Sequence, residues 1–306
     1  MNKDLRLAAL RRFAIAITIL NIAGHAFLGF EQSLAQVFAS LATAYSVEVL
    51  LELIDSRVNQ RSPRFRGSFK NAIDFLLPGH ITGLAVAMLL YANDQILPIV
   101  FATTVGIASK AILRSPAVVG KRHFFNPSNM GIATTLLLFP WVGIAPPYQF
   151  TENLTGVANV ILPCVFILTG SFLNARFTRR IPLIIAWVGG FVVQALIRNA
   201  IFETSWVAGL GPMTGVAFLL FTFYMITDPG TTPSRRLNQV IFGAGVALTY
   251  SILMGFHVVF GLFFSLVIVC AVRGVGLYLM ALRAETRRVE LQTSEPKPAM
   301  LREAQL

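Results

Sequence analysis

The chain has 306 residues, of which 55% are hydrophobic and only 13% charged, and its mean hydropathy is +0.69. An average soluble domain is about 25% charged, so a soluble fold could not cover its own surface, and a disordered chain would be far more polar. The net charge is +11 and there are two cysteines. The cysteines lack metal-ligand spacing and are too few for a disulfide scaffold, and the basic residues flank apolar runs instead of lining a polar face, which argues against nucleic acid as a partner. What remains is an all-α polytopic membrane protein in contact with lipid.

In chain order, a window of about 19 residues predicts about ten spans. They lie near 13–30, 34–54, 79–93, 95–113, 129–145, 159–173, 181–200, 209–227, 238–255 and 257–282. The first is followed almost at once by another apolar run and has no clear small-x-small cleavage site, so it reads as a span and not as a cleaved leader. With the N-terminus inside and the spans alternating, nearly all of the 25 basic residues fall on the inner side. The outer loops carry Glu31, Asp94, Glu152 and Glu203. This positive-inside pattern places both termini in the cytoplasm and the chain in an inner or plasma membrane. The organisation is one transmembrane domain over 1–280, in halves near 13–145 and 159–282, and a polar cytoplasmic tail over 283–306 that holds Pro296 and Pro298. The inner loop 55–78 is basic and suits anionic headgroups.

One pattern recurs. Gly79-His80-Ile81-Thr82-Gly83 opens the third expected span and Gly211-Pro212-Met213-Thr214-Gly215 opens the eighth. Both read G-x-x-T-G, and the alternating topology gives them opposite orientations. Each is third in its group of five. Inverted repeats of this kind carry binding sites at the repeat interface, often at interrupted helices, and Pro78-Gly79 and Gly211-Pro212 are the candidate interruptions.

Polar groups in or beside the bilayer need a reason to be there. Asp228, in Met225-Ile226-Thr227-Asp228-Pro229, is either a turn-and-cap residue at a helix end or an acceptor for a ligand or cation. Asp74 reaches the same leaflet. The stretch 123–131 is the densest polar run. In it, Asn126, Pro127, Ser128 and Asn129 stand at a helix start, and capping needs only one of the three polar side chains. The remaining amides could read a heteroaromatic edge, while His123 with Phe124 and Phe125 could equally anchor at the interface. Glu48 lies deep in the second span and could pair with Lys110 or Arg273 or take part in ion movement. Glu52 is expected near the inner interface and solvated. His25, His80 and His257 are single and read as helix-packing hydrogen bonders. No catalytic or metal-binding motif is present.

Phe125-Asn126-Pro127-Ser128-Asn129-Met130-Gly131 resembles the F-N-P-A-x-x-G segment of the NqrB/RnfD family, membrane subunits of the sodium-pumping NADH:quinone reductase and the Rnf electron-transport complex. Phe223-Tyr224-Met225-Ile226-Thr227-Asp228-Pro229 is similar to that family's F-M-x-T-D-P motif, and Thr82-Gly83 also matches its pattern. The resemblance runs over about 70–280. It implies about ten spans in two inverted halves, with flavin chemistry. Family members carry FMN esterified to the last Thr of S-G-A-T on the outer face, together with a noncovalent flavin. The matching segment here is Thr155-Gly156-Val157-Ala158. Ala158 has no hydroxyl at the acceptor position, and Thr155 matches only the first residue of the motif. A flavin, FMN or riboflavin, is therefore expected to be noncovalent if present. The 146–153 run is also similar to a stand-alone branch of the family found beside enediyne biosynthesis clusters.

The expected cofactor-binding residues are Thr82, Asn126, Pro127, Asn129, Thr155, Thr214, Thr227 and Asp228. The leading expectation is a flavin-dependent electron-transport subunit, at most part of an oxidoreductase, with other membrane or electron-donor subunits and a quinone or Na+ as partners. The alternatives are an inverted-repeat transporter or permease, and a structural membrane subunit without redox activity.

Overall fold

The computed structural model describes residues 3–146 and 150–294. Pro296, Pro298 and positions 147–149 of the 146–153 run lie outside the described residues. The described residues are mostly helical. The first five are α1 (Lys3–Ala23), α2 (Leu34–Val58), α3 (Phe69–Leu89), α4 (Leu97–Ile112) and α5 (Pro127–Leu138). They are followed by α6 (Ala158–Leu173), α7 (Ile181–Phe202), the short α8 (Trp206–Leu210) and α9 (Val216–Leu220), α10 (Arg236–Gly255) and α11 (Gly261–Ser294). The strands β1 (Leu90–Tyr91) and β2 (Gly143–Ile144) pair antiparallel.

Among the described residues, seven helices are long and apolar enough to cross a membrane, and an eighth crossing results if Trp206–Thr214 and Val216–Met225 form one bent span. Large side chains such as Ile22, Phe38, Leu168 and Ile185 remain exposed, as expected of a surface solvated by lipid chains. This is an all-α, multi-pass membrane architecture. Each expected span has a helix behind it, but α4 and α5 have only 16 and 12 residues. At 1.5 Å per residue they reach about 24 and 18 Å, short of the roughly 30 Å hydrocarbon core.

Local chemistry sets the helix starts. The side chains of Ser33, Ser68 and Asn126 accept from the backbone N–H groups of Gln36, Asn71 and Asn129, which occupies donors that a helix start leaves free. Capping at Ser68 starts α3 well before the expected position near 79, so Pro78 and Gly79 lie inside this helix and do not open it. Nearby, the Thr82 hydroxyl donates to the Pro78 carbonyl at 2.8 Å. At the second copy of the pattern the chain does break. Gly211–Thr214 is a tight 3-10 turn, Gly215 is extended (φ −83°, ψ 141°), and the flanking segments meet at 69°.

Two other helix ends share an unusual geometry. α1 continues into a π turn at Gly24–Leu28, where the Phe30 N–H returns to the Gly24 carbonyl. α6 continues into a π turn at Asn174–Thr178, where the Arg180 N–H returns to the Asn174 carbonyl. The turns end in left-handed residues, Gly29 (φ 88°) and Arg179 (φ 55°). A third π turn, Phe221–Met225, extends α9.

Among the seven long apolar helices α3 is the most enclosed, and the chain is buried without interruption from Thr82 through Leu90. In the second half the fully buried Trp187 packs among Phe191, Phe218, Phe221 and Tyr250 and donates to the Thr222 hydroxyl at 3.0 Å. α4 and α5 cross at contact distance because position 131 is glycine: a Cβ there would lie 2.1 Å from the Ala102 carbonyl oxygen.

Most basic connections gather at one end of the bundle. Arg11 of α1 pairs with Asp74 of α3, Arg12 lies over Phe177, Arg114 bridges to His123, and Arg180 donates to Thr232. Glu52 is here too, but it is only 2% exposed. It was expected to be solvated. Residues 59–68 fold back over the end of α2, and Arg61 and Arg64 both donate to its carboxylate. The connection that was expected to span 55–78 is correspondingly short.

Candidate functional site

A cavity of about 240 Å³ opens between the two halves of the chain. This is just under the roughly 300–1,000 Å³ of small-molecule pockets. Its apolar walls include Phe13 and Ile17 of α1, Ile81 and Ala85 of α3, and Phe177 and Phe223 from the two π turns of the second half. Phe13 and Tyr224 stack across it with ring centroids 5.2 Å apart. Polar groups enter the lining from Thr82, His123, Asn126, Ser128, Asn174, Thr227 and Asp228.

Asn126 is the joint of this site. Its Oδ1 accepts from the Asn129 N–H at 3.0 Å and from the Ser128 hydroxyl at 2.9 Å, which fixes the start of α5. Its Nδ2 donates across the chain to the Met225 carbonyl at 3.3 Å. An amide nitrogen carries two hydrogens, so a second donor remains beside this bond. Asn174 does comparable work for α6: its Nδ2 donates to the carbonyls of Gly170 and Phe223. These amides tie both π turns to the helices around the cavity.

Thr227 is buried and donates to the Phe223 carbonyl. Asp228 closes the following loop. Its carboxylate accepts from the Gly230 N–H at 2.9 Å and the Thr231 hydroxyl at 3.3 Å, and its carbonyl accepts from Thr231 and Thr232. The turn-and-cap reading of Asp228 therefore describes its protein contacts, while the residue still lines the cavity. Asp74 does not line it and is bound at both oxygens by Arg11, at 2.8 and 2.6 Å.

The structure thus brings Thr82, Asn126, Pro127, Thr227 and Asp228 to one cavity. Asn129 sits behind it, 1% exposed, donating to the Phe263 carbonyl at 3.0 Å. Thr214 is exposed in the 3-10 turn and donates to the Gly211 carbonyl, and Thr155 is exposed in the connection before α6. Neither belongs to the cavity. Ala158 is the first residue of α6 and offers no oxygen to a phosphoester. Asn174 and Phe13 were not singled out in the sequence, and Tyr224 stood there only as a position within the 223–229 motif. The only signal for Asn174 was an amide at the end of an apolar run.

Another face of α3 lies against a polar pair supplied by α2 and α4. Lys110 donates to Glu48 Oε1 at 2.9 Å, and Glu48 Oε2 lies against Gly79, where a Cβ would approach it to 2.2 Å. Of the two candidate partners, Lys110 is the one that Glu48 takes. His80 shares hydrogen bonds with Thr18 and Tyr45, each at 2.7 Å. His25 does so with the carbonyls of Asn21 and Gln32, which agrees with a packing role.

No family model matches the sequence, and no curated protein matches it either.

Proposed function

We propose that this chain is a flavin-binding electron-transport subunit of the NqrB/RnfD type, with the flavin held noncovalently in the cavity between two inverted five-helix halves. In this reading the chain crosses the membrane ten times, with both termini in the cytoplasm. The observation that carries the proposal is the convergence of the two family-like motifs. Asn126 and Pro127 from one, and Thr227 and Asp228 from the other, line the same cavity although they are far apart in the chain. The inverted organisation is supported by the matched π turns ending α1 and α6 and by the matched G-x-x-T-G sites in α3 and before α9. It is also supported by the gathering of basic connections at one end, which the positive-inside rule places in the cytoplasm.

The lining fits a flat heteroaromatic ligand. Stacked Phe13 and Tyr224 offer a wall for a ring system, and the spare Asn126 donor and the Thr82 and Ser128 hydroxyls offer hydrogen bonds to its polar edge. When bound, a flavin would supply the capacity to accept and pass on electrons. The chain's own residues orient the ring edge through Asn126, enclose the ring with aromatic side chains, and place the Asp228 carboxylate near it. Ala158 and the exposed Thr155 support noncovalent attachment. Electrons would come from a partner protein and go to another subunit or a quinone, with Na+ as a candidate coupled ion.

A second reading, a transporter without redox work, is favoured by two separate features: the 69° break at Gly215 in the second half and the half-buried Glu48–Lys110 pair in the first, both of kinds that inverted-repeat transporters use. The deciding experiment is an absorbance spectrum of the detergent-purified protein before and after acid precipitation. Flavin released into the supernatant, and lost in Asn126→Ala, supports the proposal. Flavin retained in the pellet refutes noncovalent attachment. Folded protein without flavin refutes the redox reading and leaves transport or assembly.

A further inference from the structure

We propose that Arg180 and Arg273 form an anion site for a phosphate group at the basic end of the bundle. Arg180 is 6% exposed, an unusual degree of burial for a guanidinium. It sits just before α7 and donates through Nε to the Thr232 hydroxyl at 2.9 Å and through Nη2 to the Thr232 carbonyl at 3.4 Å. Arg273, from the middle of α11, donates to the carbonyl of the adjacent Thr231. Two guanidiniums, one just before α7 and one within α11, thus converge on one short loop.

Negative charge does not match this. Among the described residues, neither Arg180 nor Arg273 has a carboxylate within ion-pair distance. The nearby carboxylate, Asp228, spends its oxygens on Gly230 and Thr231 of its own loop. Burial pushes the Arg180 guanidinium below its ordinary value, the Asp228 charge opposes this, and the Arg273 charge adds to it by less. Buried cations are normally paired, because neutral carbonyls and hydroxyls do not replace the hydration that a guanidinium loses.

The remaining donors can take an anion. A guanidinium carries five N–H groups in a planar fork that matches phosphate oxygens. None of the nitrogens of Arg180 or Arg273 is a buried atom without a partner, so the donors not engaged by the loop reach the surface. A phosphate bridging the two forks would neutralise the pair and fasten α7 and α11 to the loop that follows Asp228. Phosphate chemistry is shared by free phosphate and by an anionic lipid headgroup, which this end of the bundle would meet at the membrane surface. Arg180, Arg273, Thr231 and Thr232 do not line the cavity, although their loop adjoins it, and the site does not depend on a flavin being bound there.

The test is thermal unfolding of the full-length protein, followed by intrinsic fluorescence. One arm titrates inorganic phosphate against chloride at matched ionic strength in detergent. The other compares nanodiscs of phosphatidylglycerol with nanodiscs of phosphatidylcholine. We expect a saturable stabilisation in at least one arm, with phosphate affinity or lipid effect about tenfold weaker in R273Q and partly regained in R273K. Stabilisation by inorganic phosphate identifies a soluble phosphate as sufficient. Stabilisation only in phosphatidylglycerol identifies the headgroup. No stabilisation in either arm, or the same loss in the exposed-residue control R235Q as in R273Q, overturns the site. R273Q carries the test without R180Q, whose deeper burial invites misfolding.

Discussion

Replacing Gly131 with alanine tests whether α4 and α5 are held at contact distance to set the cavity wall. The added Cβ would lie 2.1 Å from the Ala102 carbonyl oxygen, 2.9 Å from its carbon and 3.2 Å from the Gly106 nitrogen. All three are backbone atoms, so no side-chain rotation relieves the clash. Restoring an ordinary contact requires the two helices to separate by about 1.3 Å, and overpacking of this sort costs roughly 1–3 kcal/mol. The control is Gly189→Ala in α7, where the new Cβ meets nothing within 4 Å. There the better helix propensity of alanine adds up to about 1 kcal/mol of stability. The two variants make the same chemical change in two helices, so intrinsic propensity cancels in the comparison. Thermal unfolding in one detergent should place Gly131→Ala several degrees below wild type and Gly189→Ala at or above it, since about 1 kcal/mol shifts the midpoint by roughly 2–4 °C in a large domain. Displacement of α5 also moves Asn126, so any bound cavity ligand should weaken in the same variant. A Gly131→Ala protein as stable as Gly189→Ala would refute the packing argument.

Asn126→Ser keeps a capping oxygen but loses the donor to Met225, and Asn126→Ala loses both. The Met225 carbonyl keeps its bond from the Asp228 N–H, so the lost bond costs about 0.5–1.5 kcal/mol and a lost cap about 1 kcal/mol more, and unfolding midpoints should fall in the order wild type, Asn126→Ser, Asn126→Ala. Equality of wild type and Asn126→Ser would show that the bond between the halves carries no weight. Lys110→Met leaves Glu48 charged and unpaired, a loss of roughly 3–5 kcal/mol, whereas Glu48→Gln with Lys110→Met should recover most of it. A double variant as unstable as the single one would contradict the pairing.

The membrane class and most helix positions were legible because hydropathy is a local property: twenty apolar residues announce a span wherever their neighbours lie. The candidate site was partly legible for another reason. Asn126-Pro127 and Thr227-Asp228 are polar residues beside apolar runs, and such residues need partners. What those partners are is set by contacts over long sequence separations. Nothing near Asn174 in the chain reveals that its amide reaches the Phe223 carbonyl. Glu52 looked solvated because its coverage by Arg61 and Arg64 depends on how the following connection folds. The likeness of Thr82 and Thr214 is real as a local pattern, yet one is buried in a continuous helix and the other exposed at a break. A short motif specifies neither its depth nor its neighbours.

The burial of Trp187 makes the protein its own optical probe. The other two tryptophans, Trp141 and Trp206, are 55% and 50% exposed, while Trp187 is fully buried and bound to Thr222 within the π turn whose next residues line the cavity. Aqueous or lipid-borne quenchers will therefore divide the emission into an accessible and a protected fraction. With Trp141 and Trp206 replaced by phenylalanine, the remaining fluorophore watches one backbone segment, and its lifetime becomes a continuous record of how tightly the cavity wall is held.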